Sequence, residues 1–266
     1  MNRPDAAPVL LGVSLKMYFG PRRTIEWCTA VAELARRHEA VSSGAVSLFA
    51  LPAFSSLTAA IDIFADTAVA VGAQDLFWED RGPYTGEVSG ADLRDLGCSF
   101  VEVGHAERRG LFGEDDAVVN RKLAAAVRNS LTPVLCIGEH EIGSPDEAAA
   151  TCVRQLESAL EGLTGKNDAL PLVVAYEPNW AIGAAHSASA DYVAAVSARL
   201  KDWLRTRPGF EASRVIYGGS AGPGLLGTLG GSVDGLFLGR FAHDPAALEL
   251  VLDEARAPLR RRSGDA

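Results

Sequence analysis

Leu172-Val-Val-Ala-Tyr-Glu177-Pro-Asn-Trp-Ala-Ile-Gly183 is a short apolar run that ends in a carboxylate, a proline and a loop closed by glycine. The run Leu172–Ala175 does not alternate with polar residues, the pattern of a strand buried on both faces, as in a parallel sheet. Seven further runs of this kind recur along the chain: Val9–Val13, Val46–Leu51, Ala68–Ala73, Phe100–Val103, Pro133–Ile137, Val215–Tyr217 and Gly235–Leu238. Each is bounded by Gly, Pro or Asp. The segments between them carry helix signals. Thr24–His38 has an apolar stripe at Ile25, Cys28, Val31 and Leu34. Ser144-Pro145-Asp146-Glu147 reads as a capping box with proline at the first helical position, and Asp244-Pro245 opens a last helix in the same way. Tyr192, Val196, Leu200 and Leu204 step by four along another.

Eight strands alternating with helices in 266 residues predict an α/β chain folded as one closed (β/α)8 barrel, a single domain over 1–266. An open, doubly wound sheet is the competing reading. It would want GxGxxG after the first strand, and none is there.

Composition narrows the partners. The net charge of −9 speaks against a nucleic-acid binder, although clustered backbone N–H groups can still hold a phosphate. The one basic run, Arg260-Arg261-Arg262, reads as a solvated tail. No apolar run is long enough to span a membrane, and the N-terminus does not read as a signal peptide. Cys28, Cys98, Cys136 and Cys152 show no CxxC spacing and read as reduced core thiols, which predicts a cytoplasmic location.

In a (β/α)8 barrel, chemistry sits on the loops that follow the strands. Lys16 falls after strand one, Gln74-Asp75 after strand three, and Gly104-His105-Ala106-Glu107-Arg108-Arg109 after strand four. Glu177 opens the loop after strand six, Gly218-Gly219-Ser220 follows strand seven, and Gly239-Arg240 follows strand eight. Taken singly, each has an ordinary explanation: a surface lysine, a structural histidine, a turn glutamate, or glycines that merely turn the chain. Taken together, Lys, His and Glu follow three different strands, so closure would gather them around one mouth.

At these residues the sequence resembles the triosephosphate isomerase family, nearly end to end, which implies a TIM barrel. Val101-Glu-Val-Gly-His105-Ala-Glu-Arg-Arg109 resembles the family's catalytic-histidine motif. Ala175-Tyr-Glu177-Pro-Asn-Trp-Ala-Ile-Gly183 resembles its catalytic glutamate and lid hinge. Pro133-Val-Leu-Cys-Ile-Gly-Glu139 and Tyr217-Gly-Gly-Ser220 match further segments. The resemblance implies an isomerase of short phosphorylated sugars. Glu177 would be the base, His105 the electrophile and Lys16 the electrostatic anchor, held by Glu107. This family is itself the reference case for a Glu base with a neutral His electrophile, so those roles are inherited. Backbone N–H groups of Gly183, Ser220 and Gly239 would hold the phosphate, together with the dipole of a short helix after strand seven. A lid from Pro178 to about His186 would exclude water. No metal or organic cofactor is implied. Gly82-Pro-Tyr-Thr-Gly-Glu-Val-Ser89 is similar to the family's dimerisation loop, with Tyr84 as an apolar anchor and Thr85 entering the neighbouring site, which implies a homodimer.

The sequence also departs from the family. Ser14 stands where the family has Asn, Leu15 where it has an aromatic residue, Ala106 where it has Ser, Arg240 where it has a second Gly, and His186 where it has Lys. The first three are expected to open space at the reacting end, and Arg240 to alter how the phosphate is held. The expected substrate is therefore one carbon longer, as in the branch that converts L-erythrulose 1-phosphate to D-erythrulose 4-phosphate. The competing readings are an ordinary triose-phosphate isomerase and an inactive barrel with a binding or regulatory role. The retained Lys16, His105, Glu107 and Glu177 speak against the last.

Overall fold

The computed structural model describes residues 8–163, 172–184 and 187–256. The basic run Arg260–Arg262, the lid residue His186 and the first seven residues lie outside these. Eight strands form a closed barrel in sequence order, all neighbours parallel: β1 (Val9–Ser14), β2 (Val46–Leu51), β3 (Val69–Ala73), β4 (Phe100–Val103), β5 (Thr132–Ile137), β6 (Val173–Tyr176), β7 (Arg214–Tyr217) and β8 (Gly235–Leu238). The expected barrel is thus found, with strand ends shifted by one residue at most. β1 pairs with both β2 and β8, placing Val13 between Ala50 and Leu238 and closing the sheet.

Helices cover the outside: α1 (Pro21–Arg37), α2 (Glu39–Ser42), α3 (Leu57–Phe64), α4 (Gly90–Leu96), α5 (Ala106–Phe112), α6 (Asp116–Arg128), α7 (Pro145–Ala159), α8 (Ala190–Arg205), α9 (Leu225–Leu229) and α10 (Pro245–Arg256). None of the described helices is long and apolar enough to cross a membrane. Their starts follow local chemistry. Ser144 and Glu147 form the reciprocal capping box of α7, and Pro21 occupies the first turn of α1. In α1 the buried stripe is Thr24, Trp27, Cys28, Val31, Ala32, Leu34 and Ala35, whereas Ile25 is exposed. At 100° per residue, Ile25 lies about 100° from the centre of that stripe, just beyond Ala32 at its edge, which corrects the expected stripe.

The strands' two faces bury different clusters. Residues facing the helices form the larger core. Leu10, Phe49, Leu51, Val134, Cys136, Val173, Ala175, Ile216 and Phe237 fill the barrel interior. There Phe49 stacks on Phe100 at 4.4 Å and faces Phe237 at 6.1 Å. Gly12 makes this possible, since a Cβ on it would lie 2.2 Å from the Phe49 ring.

Gly12→Ala should therefore overpack the interior and lower stability by about 1–3 kcal/mol, read as a lower midpoint in urea unfolding.

Candidate active site

The loops after β1, β4, β6, β7 and β8 line one cavity of ≈ 740 Å3 at the C-terminal mouth of the barrel. Ser14, Lys16, His105, Glu107, Glu177, Gly183, Ser220, Gly239 and Arg240 all border it. Thr85 does not: it lies exposed on the loop between β3 and α4.

Lys16 sits just past β1 in left-handed backbone, φ +47°, a conformation that costs a non-glycine residue energy and needs outside support. The Gln74 side-chain amide supplies some, donating to the Lys16 carbonyl at 3.0 Å and the Leu51 carbonyl at 2.9 Å. The Lys16 ammonium donates to Glu107 Oε1 at 2.7 Å. Burial by itself would lower the Lys16 pKa. The Glu107 hydrogen bond and the charges of Glu107, Glu177 and Glu102 outweigh it, so the net shift is upward and the lysine stays cationic.

His105 caps α5. Its Nδ1 accepts from the Glu107 backbone N–H at 3.1 Å, so the neutral ring carries its proton on Nε2. Burial, aided by the Lys16 charge and opposed by Glu107, lowers its pKa to about 4. The ring is therefore a neutral donor near pH 7. Nε2 lies 3.6 Å from Glu177 Oε2.

Glu177 is buried and follows β6. Burial raises its carboxyl to about 7, partly offset by Lys16 and by the Cys136 thiol. Its Oε2 has no hydrogen-bond partner. Two glycines make room for this residue. A Cβ on Gly138 would stand 2.0 Å from the Glu177 carbonyl oxygen, and one on Gly218 would stand 2.5 Å from Oε1. Gly218 thus seats a carboxylate and is more than a turn residue. Neither glycine was recognisable in this role from the sequence, because the close approach is made across strands.

The loop after β6 is tied down at both ends. Trp180 donates to Glu139 Oε1 at 2.9 Å, and the Tyr176 and Tyr192 hydroxyls donate to the same oxygen. The Ser220 hydroxyl is shared between the Ala181 and Ala184 carbonyls at 2.8 and 3.0 Å, and the Ala188 N–H donates to the Tyr217 hydroxyl at 3.0 Å. Arg240 Nη2 reaches the Gly183 carbonyl at 3.4 Å, so this arginine turns inward to the cavity rim over the loop.

Several sequence-based expectations change. Leu15 is buried in the core between barrel and helices and does not border the cavity. Ala106 lines a separate small crevice beside Gly104 and Cys136. Of the three substitutions expected to widen the reacting end, only Ser14 faces it. The helix after β7 does not border the cavity, and Glu254 takes the Gly224 and Gly227 N–H groups at the start of α9. The cavity is bordered on that side by Gly218, Ser220 and Ala221 after β7 and by the turn Gly239–Phe241 after β8. One charged residue of the mouth was given no role in the sequence reading. Glu102 accepts from the Ser14 hydroxyl at 3.0 Å. Its signal was present as a carboxylate inside the apolar run Phe100–Val103.

Comparison with known proteins agrees with this geometry. Residues 9–255 match the family described as triosephosphate isomerase. An L-erythrulose-1-phosphate isomerase of Pectobacterium atrosepticum is 53% identical over 92% of this chain and 95% of its own length. A triosephosphate isomerase of Moorella thermoacetica is 41% identical over 80% of this chain and 87% of its own length. The crystal structure of triosephosphate isomerase from Bartonella henselae superposes with a TM-score of 0.78 at 28% identity, covering 94% of this chain and all of that one.

Behind the His105 loop lies a buried ionic cluster. Lys122 Nζ donates to Asp75 Oδ1 at 2.6 Å and to Glu114 Oε1 at 2.6 Å, and Arg108 Nε pairs with the same two carboxylates. It ties the loop after β3 to α5 and α6. Lys122→Met should strand two buried carboxylates on Arg108 alone and cost about 3 kcal/mol or more, measured by chemical denaturation.

Proposed function

The chain belongs to the triosephosphate isomerase family, and on that footing we propose that it interconverts L-erythrulose 1-phosphate and D-erythrulose 4-phosphate through an enediolate. The reaction moves a carbonyl from one carbon to its neighbour. Glu177 removes the proton from the carbon beside the carbonyl and returns it to the former carbonyl carbon. The carboxylate is poised for this, being desolvated, with a pKa near neutrality and one oxygen free of hydrogen bonds. His105 donates from Nε2 to the two substrate oxygens in turn. A neutral imidazole suits this role, because Nε2 gives its proton to the former carbonyl oxygen and takes back the proton of the neighbouring hydroxyl, so the ring ends neutral as it began. Lys16 adds fixed positive charge beside the same oxygens. The phosphate lies toward Gly183, Ser220, Gly239 and Arg240, and the loop held by Ser220 keeps water from an intermediate that would otherwise expel phosphate.

What carries the longer substrate is the floor of the cavity. Ser14 borders it beside His105 with a short hydroxyl, leaving room for the hydroxymethyl group that distinguishes a tetrulose phosphate from a triose phosphate. The 53% identity to a relative named for that activity supports the same reading. The relative from Moorella thermoacetica favours dihydroxyacetone phosphate as the competing substrate, and the assay below decides between them.

Two further readings go with this function. A homodimer is supported by Tyr84 and Thr85 exposed on one loop, and by Met17 and Leu111 at 92% and 78% exposure. The free, buried state of all four cysteines supports a cytoplasmic setting.

Steady-state kinetics should give a higher kcat/KM on L-erythrulose 1-phosphate than on dihydroxyacetone phosphate; the reverse order would return the protein to ordinary triose chemistry. With the preferred substrate, kcat/KM should climb as pH rises through about 7, because the base must be ionised and Glu177 titrates there. No limb from His105 should follow above about 5, since it is already neutral. Glu177→Asp withdraws the carboxylate by about 1 Å and should cost about a hundredfold in kcat/KM, with the circular-dichroism spectrum unchanged.

A further inference from the structure

Glu102 stands on the inner face of β4, in register with Val134 and two residues beyond Phe100. Its neighbours on that face are Phe100, Val134 and Cys136, so a carboxyl group here is out of character with the barrel interior. It is 3% exposed. Oε2 accepts from the Ser14 hydroxyl at 3.0 Å, while Oε1 lies 3.8 Å from Cys136 Sγ and 3.9 Å from His105 Nε2. Lys16 acts on it through space only, and burial together with the Glu177 charge pushes it up to about 8. A buried carboxyl with so little compensation is unfavourable for folding alone. The reaction assigned above to Glu177, His105 and Lys16 makes no use of it.

Its one firm contact has a chemical consequence. A serine hydroxyl has one proton and two lone pairs. Above about pH 8, where the carboxyl is ionised, Glu102 can only accept and so takes that proton. What Ser14 turns to the cavity is then acceptor only. The group that meets it must be a donor. The phosphate end of the cavity lies toward the loops after β6, β7 and β8, so the other end of the substrate reaches the floor at Ser14 and His105. A triose phosphate bears only hydrogen at the end of its reacting carbon, whereas a tetrulose phosphate bears a hydroxymethyl group with a hydroxyl to donate.

We propose that Glu102 is a positioning residue that selects the four-carbon substrate: it orients the Ser14 hydroxyl so that its lone pairs accept the substrate's terminal hydroxyl. The inference rests on the four-carbon reading of the preceding subsection and adds the residue pair that enforces it.

The test is the ratio of kcat/KM on L-erythrulose 1-phosphate to that on dihydroxyacetone phosphate at a pH above about 8, where Glu102 is ionised, in wild type, Glu102→Leu, Glu102→Gln and Ser14→Ala. Leucine cannot accept the Ser14 proton, and the ratio should fall about tenfold, the weight of one hydrogen bond in a transition state. Glutamine retains a carbonyl oxygen that can accept it, and the ratio should stay near that of wild type. A merely structural role would lower both substrates alike and leave the ratio where it was. If Glu102→Leu does not fold, Ser14→Ala reads the same contact and should lose the ratio to the same extent. A wild-type preference for dihydroxyacetone phosphate overturns the four-carbon reading itself. A wild-type four-carbon preference that survives Glu102→Leu or, failing that, Ser14→Ala overturns the role of Glu102. A ratio lost equally in Glu102→Gln overturns the hydrogen-bond account of it.

Discussion

Gly235 lies so close to Leu10 that a Cβ on it would stand 1.7 Å from the Leu10 carbonyl oxygen, and at that contact the last strand meets the first. The pairing of β8 with β1 makes a closed ring of what would otherwise be an open parallel sheet. Closure leaves no sheet edge to protect. It also brings Ser14 and Lys16, from the beginning of the chain, to the same mouth as Gly239 and Arg240 near its end. The charge pairs that join different strands depend on that geometry. Lys16 and Glu107 are 91 residues apart in sequence and 2.7 Å apart in space.

The mouth concentrates acid. Glu102, Glu107 and Glu177 surround one lysine and one neutral histidine, and they differ in environment more than in kind. Glu107 is half exposed and bonded to Lys16, which, against the cost of its burial, holds its pKa below the ordinary range. Glu177 and Glu102 are buried with little direct compensation and rise to about 7 and about 8. Identical side chains thus serve as a counter-ion, a base and a hydrogen-bond acceptor, because desolvation penalises the ionised form wherever no partner offsets it. The strained backbone at Lys16 belongs to the same arrangement. Its left-handed turn carries the ammonium across the mouth, and Gln74 holds that turn from β3.

The loop after β6 joins this charged floor to the phosphate side. Trp180 and the Tyr176 hydroxyl anchor its start on Glu139, Ser220 bonds its middle, and Tyr217 receives its far end. These bonds come from β5, β6, β7 and the residues just beyond them, so the position of the loop reports on the neighbouring strands. Arg240 adds one contact from the turn after β8, to Gly183 at the loop's glycine.

The amino-acid sequence by itself determined the eight buried strands, the helices that alternate with them and the residues that could carry proton transfer. Those properties are local: unbroken apolar runs, capping residues such as Ser144, and polar side chains placed just past a strand. It did not decide which way a residue beside the mouth points. Ser14 and Leu15 are adjacent and go to opposite faces of the sheet, but which face lines the cavity and which meets the helices is set by barrel closure. Ala106, one step beyond the histidine that caps α5, falls outside the cavity and lines the crevice beside Cys136 of β5. Glu102 was visible as a charge in an apolar run, but its bond to Ser14 spans 88 residues. The room that Gly138 and Gly218 leave for Glu177 likewise exists only once β5, β6 and β7 lie side by side. Contacts between distant strands are set by barrel closure and register, and those belong to the folded chain as a whole.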